Sequence, residues 1–207
     1  MIRIIMSLYL IICANNSNAD TYDFEVRLND KAIGHHKITV KETAPGSTLV
    51  AGSAEYTLKI LGVVVFSYRH QHDELWQGDC LKSLQSVTET NGKTTNIALA
   101  LDQDKLMLSK NNASSVPVPD APDCLWSYAY WAPNLRNQTT LVNGQTGALT
   151  EVAISPVAPL NDSAPNAQRF ELVAPEQQIF VDYDALGRWN GLEVPLAKNR
   201  VLTYHLR

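Results

Sequence analysis

The sequence predicts an all-β protein, a single antiparallel meander of about ten or eleven strands that forms a barrel or an open half-barrel. Three observations support this prediction. Apolar and polar residues alternate along many short segments, turn signals such as Asn91-Gly92 separate those segments, and no amphipathic helix longer than about ten residues is evident. The chain also has no G-x-G-x-x-G motif and no P-loop, which opposes a nucleotide-binding parallel sheet.

The N-terminal residues 1–19 have the features of an export signal. Arg3 supplies a positive charge, residues 4–14 are almost entirely apolar, and Ser17-Asn18-Ala19 offers small residues for a signal peptidase. The apolar run is too short to span a membrane. We therefore expect cleavage after Ala19 and no integral membrane segment afterwards.

A lipoprotein signal around Cys13 is the alternative at this end of the chain. The preceding Leu10-Ile11-Ile12 resembles a lipobox, but bulky Ile12 occupies the position that requires a small residue. With either signal, residues 20–207 are expected to form one β-barrel-like domain, periplasmic or secreted in a bacterium.

The strands follow one another from Phe24 onward. Phe24, Val26 and Leu28 alternate with polar neighbours, which is typical of a half-buried strand. Further strands are expected around residues 38–40, 54–76 with a break near Gly62, 81–90, 97–101, 106–110, 141–142, 149–154, 170–173, 179–183, 188–194 and 201–206. Proline-rich loops are expected at residues 111–123 and 156–165.

Charge and cysteine content restrict the possible functions. The formal net charge is −4 and basic residues are not clustered, so binding to nucleic acid is not expected. Two cysteines, Cys80 and Cys124, remain after the signal, and in an oxidising compartment we expect them to form a disulfide. A reactive thiol or a metal ligand is the alternative.

The segment from Tyr68 to Trp76 carries the strongest candidate site. In an extended strand, five side chains lie on one face: Tyr68, His70, His72, Glu74 and Trp76. They could line a ligand site. Alternatively, His70, His72 and Glu74 could bind a divalent transition metal, because the His-x-His spacing lets two imidazoles converge on one ion. The third possibility is that these groups hydrogen-bond one another or face water.

Two apolar segments add to this candidate site. The aromatic stretch containing Trp126, Tyr130 and Trp131 is interpreted either as a plug tied down through Cys124 or as a lid over an apolar cavity. The run Leu61–Phe66 is interpreted first as buried core, and second as a ligand wall or partner surface.

Enzymatic activity has little support, and we assign no catalytic residue. No serine lies in a G-x-S-x-G motif. Asp182 and Asp184 share a face and could form the carboxylate pair of a glycosidase, but they lie at an expected hairpin turn, where aspartate serves turn geometry.

Several short motifs occur in a fixed order along the chain: Gly34, Glu74-x-Trp76, Thr88-x3-Gly92-Lys93, Tyr130-Trp131, Gln145-Thr146-Gly147, Tyr183-Asp184-x2-Gly187-x-Trp189 and Leu202-x-Tyr204. In these motifs the chain resembles a family of bacterial exported proteins grouped only as a domain of unknown function. The resemblance implies a curved, partly open antiparallel barrel of the lipoprotein-carrier type. It implies no activity, since the similarity is one of fold.

Together these observations predict a periplasmic, non-enzymatic binding or carrier protein for an apolar or amphipathic small molecule such as a lipid. The expected ligand-binding residues are Tyr68, His70, His72, Glu74, Trp76, Trp126, Tyr130 and Trp131. No cofactor is expected, and protein partners are not specified. The alternatives are a metal-dependent enzyme that uses His70, His72 and Glu74, and an envelope assembly or scaffold protein with a filled barrel.

Overall fold

The computed structural model describes residues 19–103, 105–159 and 166–207. The predicted export signal lies outside the described residues except for Ala19, and so do Cys13 and residues 160–165 of the second predicted loop. The strands are β1 (Ala19–Leu28), β2 (Lys31–Ala44), β3 (Ser47–Ile60), β4 (Val63–Gln77), β5 (Cys80–Thr90), β6 (Lys93–Asp102), β7 (Lys105–Lys110), β8 (Val116–Pro117), β9 (Thr140–Val142), β10 (Leu149–Glu151), β11 (Ala153–Val157), β12 (Gln168–Ala174), β13 (Gln177–Tyr183), β14 (Trp189–Leu196) and β15 (Arg200–Leu206).

Thirteen of these strands form one antiparallel sheet in the order β11-β12-β13-β14-β15-β1-β2-β3-β4-β5-β6-β7-β8. The N-terminal strand β1 pairs with the C-terminal strand β15, from Phe24–Leu206 to Leu28–Leu202, so the ends of the described chain meet inside the sheet. Strands β11 and β8 form the two edges and do not pair with each other. The predicted all-β open half-barrel is therefore confirmed.

The sheet curves because several of its strands carry bulges. Register shifts occur between Val26 and Arg27, between Leu58 and Lys59, and between Leu75 and Trp76. A bulge bends its strand and increases the local twist, which allows one continuous sheet to wrap around an interior.

The core lies mainly at one end of the half-barrel. Its largest fully buried side chains include Phe24, Trp76, Leu84, Leu141 and Trp189. A short segment, Leu125–Trp131, crosses this end and is followed by a 3₁₀ helix over Pro133–Asn137 and by the small β9–β10 sheet. We call Leu125–Trp131 the plug.

The predicted disulfide between Cys80 and Cys124 is present. It joins the first residue of β5 to the residue just before the plug, and the Leu81 amide donates a hydrogen bond to the Leu125 carbonyl beside it, at 2.9 Å. The closed end of the half-barrel is thus held by a covalent link as well as by packing.

The interpretation of Leu61–Phe66 as buried core is wrong for most of that run. Leu61 is 99% exposed and Val63 is 65% exposed, because both lie at the tip of the β3–β4 hairpin with no element packed over them. Phe66, further from the tip, is half-buried. Among the described residues, no helix has the length and hydropathy needed to cross a membrane.

Candidate functional site

The concave face of the sheet encloses a cavity of about 770 Å³. Strands β1–β5 and β13–β15 form its walls, and plug residues close one end. The opposite end lies at the β1–β2, β3–β4 and β14–β15 turns, and we call this end the mouth. The volume falls within the range of about 300–1,000 Å³ that is usual for small-molecule sites.

The cavity lining changes in a regular order from the mouth to the plug, because β3 and β4 are paired residue by residue. Starting nearest the mouth, the inward-facing cross-strand pairs are Leu58–Phe66, Tyr56–Tyr68, Ala54–His70, Gly52–His72 and Val50–Glu74. The lining is therefore apolar at the mouth, phenolic in the middle, and imidazole and carboxylate towards the plug.

The tyrosine layer consists of Tyr56, Tyr68 and Tyr204, whose side chains contact one another. The hydroxyls of Tyr56 and Tyr204 are 2.6 Å apart and share a hydrogen bond, and the rings of Tyr56 and Tyr68 stack with centroids 5.1 Å apart. Burial raises the pKa of Tyr204 to about 12 and also raises the pKa values of Tyr56 and Tyr68. All three phenols are uncharged at neutral pH.

The histidine layer consists of His36, His70 and His72, and some of its ring nitrogens lack a hydrogen-bond partner. Both ring nitrogens of His36 and the Nδ1 of His72 are shielded from solvent, and among the described residues none of these atoms has a hydrogen-bond partner. His70 Nδ1 is 2.8 Å from Thr88 Oγ1. Burial lowers the pKa of His36 to about 3 and that of His70 to about 4, so both imidazoles are neutral at pH 7.

A glycine makes room for one of these rings. The His72 ring lies over Gly52 on the neighbouring strand, and a Cβ atom at Gly52 would overlap the ring. The absence of a side chain at position 52 thus determines where His72 sits.

Glu74 and Trp76 connect the cavity to the plug. Trp76 Nε1 donates a hydrogen bond of 2.8 Å to Glu74 Oε2, and the Trp76 indole packs edge-on against Trp126 and Trp131 with centroids 5.2 and 5.6 Å away. The Tyr183 hydroxyl donates to the Tyr130 carbonyl at 2.9 Å, which fixes the same segment from the other wall.

The structure brings six of the eight predicted ligand-binding residues into the cavity wall: Tyr68, His70, His72, Glu74, Tyr130 and Trp131. Trp76 and Trp126 do not line it; both are almost fully buried and pack between the sheet and the plug. Ligand binding by the six lining residues remains a prediction.

The three predicted metal ligands do not form a metal site in this geometry. No group of three or more His, Cys, Asp or Glu side chains in the described part of the chain is placed to hold one ion. His70 and His72 are near neighbours, with ring centroids 5.3 Å apart, but Glu74 is engaged by the Trp76 indole.

The Asp182–Asp184 pair serves structural contacts. Asp182 accepts hydrogen bonds of 3.1 and 3.0 Å from Arg169 Nη1, and Asp184 Oδ1 accepts from the backbone amides of Leu186 and Arg188 in the β13–β14 turn. Neither carboxylate lines the cavity.

The predicted set of ligand-binding residues omitted three residues that line the cavity: His36, Tyr56 and Tyr204. A signal for His36 exists, because it lies two residues before Ile38 and therefore shares the inward face of β2. The neighbouring His35 faces outwards and is exposed. The approach of Tyr204 depends on the β1–β15 pairing, which no local pattern reveals.

A family model, the domain of unknown function DUF6134, matches residues 24–207. The chain belongs to this family. Among solved structures, it is similar to a beta-barrel-like protein of the domain of unknown function DUF1849 from Brucella abortus, with a TM-score of 0.58, 10% identity, and coverage of 91% of this chain and 94% of that one. At this identity the similarity shows the fold alone. No curated protein sequence matches the chain.

Proposed function

We propose that this member of the DUF6134 family is a periplasmic, non-enzymatic carrier for an uncharged amphipathic molecule, with its polar head near the histidine layer and its apolar body towards the mouth. The observation that carries the proposal is the graded cavity of about 770 Å³, which is lined by apolar side chains at its open end and by tyrosine and histidine side chains deeper inside.

The deep part of the cavity favours a neutral head group. His36 and His70 are neutral there, the tyrosines are neutral, and the Glu74 carboxylate already accepts the Trp76 indole hydrogen bond. A neutral imidazole offers one donor and one acceptor, so it suits a hydroxyl, amide or similar group that both donates and accepts. An anionic head group would lose its hydration there without gaining a counter-ion, which is costly. A cationic head group would have only the Glu74 carboxylate, one oxygen of which already accepts the Trp76 indole hydrogen bond.

The mouth favours an alkyl or other apolar body. Apolar side chains from several strands line it, among them Leu28, Ile33, Leu58, Phe66, Leu196 and Leu202. Each methylene buried in such a site contributes about 0.8 kcal/mol. A chain of moderate length would therefore supply most of the binding free energy, while the histidines and tyrosines would select the head.

The disulfide supports export as part of this proposal. Cys80 and Cys124 are joined, and structural disulfides persist in oxidising compartments such as the bacterial periplasm. The two alternatives have less support: the predicted metal ligands do not converge, and the open interior does not fit a scaffold with a filled barrel.

The test is displacement of an uncharged fluorophore, N-phenyl-1-naphthylamine, from the purified protein. We expect fluorescence to rise on binding. Hexadecanol should displace the probe at lower concentration than palmitate or hexadecyltrimethylammonium, which have the same chain length but charged heads. Absence of probe binding, or equal displacement by all three competitors, would contradict the proposal.

A matched pair of tryptophan variants tests whether the fluorophore binds inside the cavity. Ala54 is buried between His36 and His70, so Ala54→Trp should fill the cavity and weaken probe binding at least about tenfold. Ala51 lies on the same strand but is exposed, and Ala51→Trp should leave binding unchanged. If Ala54→Trp fails to fold, Leu58→Trp, nearer the mouth, replaces it. Equal affinity in the cavity variant and its control would place the probe elsewhere.

A further inference from the structure

We propose that the tip of the β3–β4 hairpin inserts into the surface of an anionic lipid bilayer, which sets the mouth of the cavity against the membrane. The tip consists of residues 60–65, of which Ile60 and Val65 also line the cavity whereas Leu61, Val63 and Val64 do not. Insertion of the tip does not depend on whether the cavity binds a ligand.

The hairpin projects beyond its neighbours. The last pair between β2 and β3 is Gly34–Tyr56, and the pairing of β4 with β5 reaches only as far as Tyr68–Thr90. In the strand ladder, residues 57–67 therefore pair only with each other, from Thr57–Ser67 to Ile60–Val63, although Ser67 also hydrogen-bonds Asn91 of the β5–β6 turn. On the β2 side, Lys31 still reaches Lys59 through a hydrogen bond, so the part of the hairpin that extends beyond both neighbouring strands is its end, from Ile60 to Val63.

The tip is apolar on both of its faces. Successive residues of a strand point to opposite faces, so a hairpin in water is expected to alternate polar and apolar residues. Here Val63, Val64 and Val65 follow one another, with Ile60 and Leu61 across the turn, and all five are exposed, from 48% for Val65 to 99% for Leu61. Such a tip is suited to an environment that is apolar on all sides, as in a bilayer.

The positive charge at the same end of the protein favours a lipid surface with anionic headgroups. The β5–β6 and β12–β13 turns lie at the same end of the sheet as the three mouth turns. The exposed side chains of these five turns and of the hairpin include five cations, Lys31, Lys59, Lys93, Lys198 and Arg200, against two carboxylates, Asp30 and Glu176. The whole chain has a net charge of −4, so the mouth is a positive region on an acidic protein. Cations beside an apolar insertion element are attracted to anionic headgroups.

Hydrogen bonds join the base of the hairpin to the turns that carry these cations, which we call the cationic rim. The Lys31 ammonium donates a hydrogen bond of 3.1 Å to the Lys59 carbonyl, and the Asn91 amide donates to the Ser67 carbonyl at 2.9 Å. An inserted tip would therefore bring the rim to headgroup level. Ile60 and Phe66 of the hairpin also line the cavity, so an inserted tip would join the cavity wall to the acyl layer.

Co-sedimentation of the full mature chain with vesicles tests the proposal. We expect binding to vesicles of phosphatidylethanolamine with phosphatidylglycerol, weaker binding to phosphatidylcholine vesicles, and a decrease at high salt because screening weakens the headgroup contacts. No binding to the anionic vesicles would overturn the proposal.

A pair of double variants locates the contact. Leu61→Ser with Val64→Ser removes two exposed apolar side chains that do not line the cavity, and should weaken anionic-vesicle binding at least about tenfold. Val87→Ser with Val173→Ser removes two exposed valines elsewhere on the sheet, each about as exposed as Val64, and should leave binding unchanged. Equal binding by both double variants would overturn the proposal.

Two further readouts distinguish membrane docking from self-association and from ligand binding in the cavity. Native mass spectrometry without lipid should show a monomer; a dimer that the Leu61→Ser, Val64→Ser variant abolishes would overturn the proposal in favour of a second copy of the chain. N-phenyl-1-naphthylamine binding, measured without vesicles, should be unchanged in that variant, so a failure of the carrier function and a failure of membrane docking remain distinguishable.

Discussion

The two ends of the cavity differ in how far they bury apolar side chains. At the plug end, Trp76, Trp126 and Leu141 are almost fully buried, and the Cys80–Cys124 disulfide links the sheet to the plug. At the mouth end, Leu61 and Val63 are equally apolar but exposed. The difference shows that one end provides the stability of the fold, whereas the other end presents a surface that contributes little to stability.

The largest effect that would test this contrast is loss of the disulfide. The bridge spans a sequence separation of 44, for which the chain-entropy model gives a stabilisation of about 4 kcal/mol. The Cys80→Ser, Cys124→Ser double variant should lose about this much free energy of unfolding, measured by urea denaturation. Reduction of the wild-type protein should give the same loss, and a loss below about 1 kcal/mol in both experiments would show that the plug is held by packing alone.

The next effect concerns acid pH and the histidine layer between the two ends. The pKa of His36 is about 3 in the folded protein and near its ordinary value of 6.5 in the unfolded chain. Below pH 6.5 the unfolded chain therefore binds a proton that the folded protein does not, so stability is full above pH 6.5 and falls as the pH decreases towards 3. At pH 5 the cost is about 2 kcal/mol for His36. The lowered pKa of His70 acts in the same direction.

Denaturation as a function of pH measures this effect. His36→Gln should remove its share of the acid-dependent loss, whereas His35→Gln, which changes the exposed neighbour on the outer face, should leave the pH profile as it is in the wild type. Identical pH profiles for all three proteins would show that His36 is not held neutral by burial.

The smallest expected effect is at the mouth. Leu61→Ser should change the free energy of unfolding by less than about 0.5 kcal/mol, because the side chain has no packing to lose. Leu141→Ala, at a fully buried position in the plug end, should cost about 2–5 kcal/mol. Thermal and urea denaturation of the two variants compare the ends directly, and a large loss for Leu61→Ser would mean that the hairpin tip is packed in solution.

Much of the fold could be predicted from local patterns. The alternation from Phe24 to Leu28 and the Asn91-Gly92 turn correspond to a strand and to a hairpin turn in the structure. The two cysteines expected to pair do pair. These features follow from short-range physical chemistry: the two-residue period of a strand and the tolerance of asparagine and glycine for positive φ.

The candidate site could be predicted only in part. The same period places Tyr68, His70, His72 and Glu74 on one face of β4, as the structure shows. It also places Trp76 there, although Trp76 lies beyond the cavity because the plug covers that level of the sheet. Periodicity identifies the residues that share a face but not the element that covers it.

Local sequence thus decided the strands, their inward faces and the turns. Only the tertiary structure decided that β1 pairs with β15 and brings Tyr204 to Tyr56, that the plug buries Trp76, and that the apolar residues from Leu61 to Val65 are left exposed at the end of the β3–β4 hairpin. The reason is that side-chain alternation is a property of each strand alone. Burial depends on elements that are far away in the sequence. The length and register of those elements determine which residues of a strand they pack against and which they leave exposed.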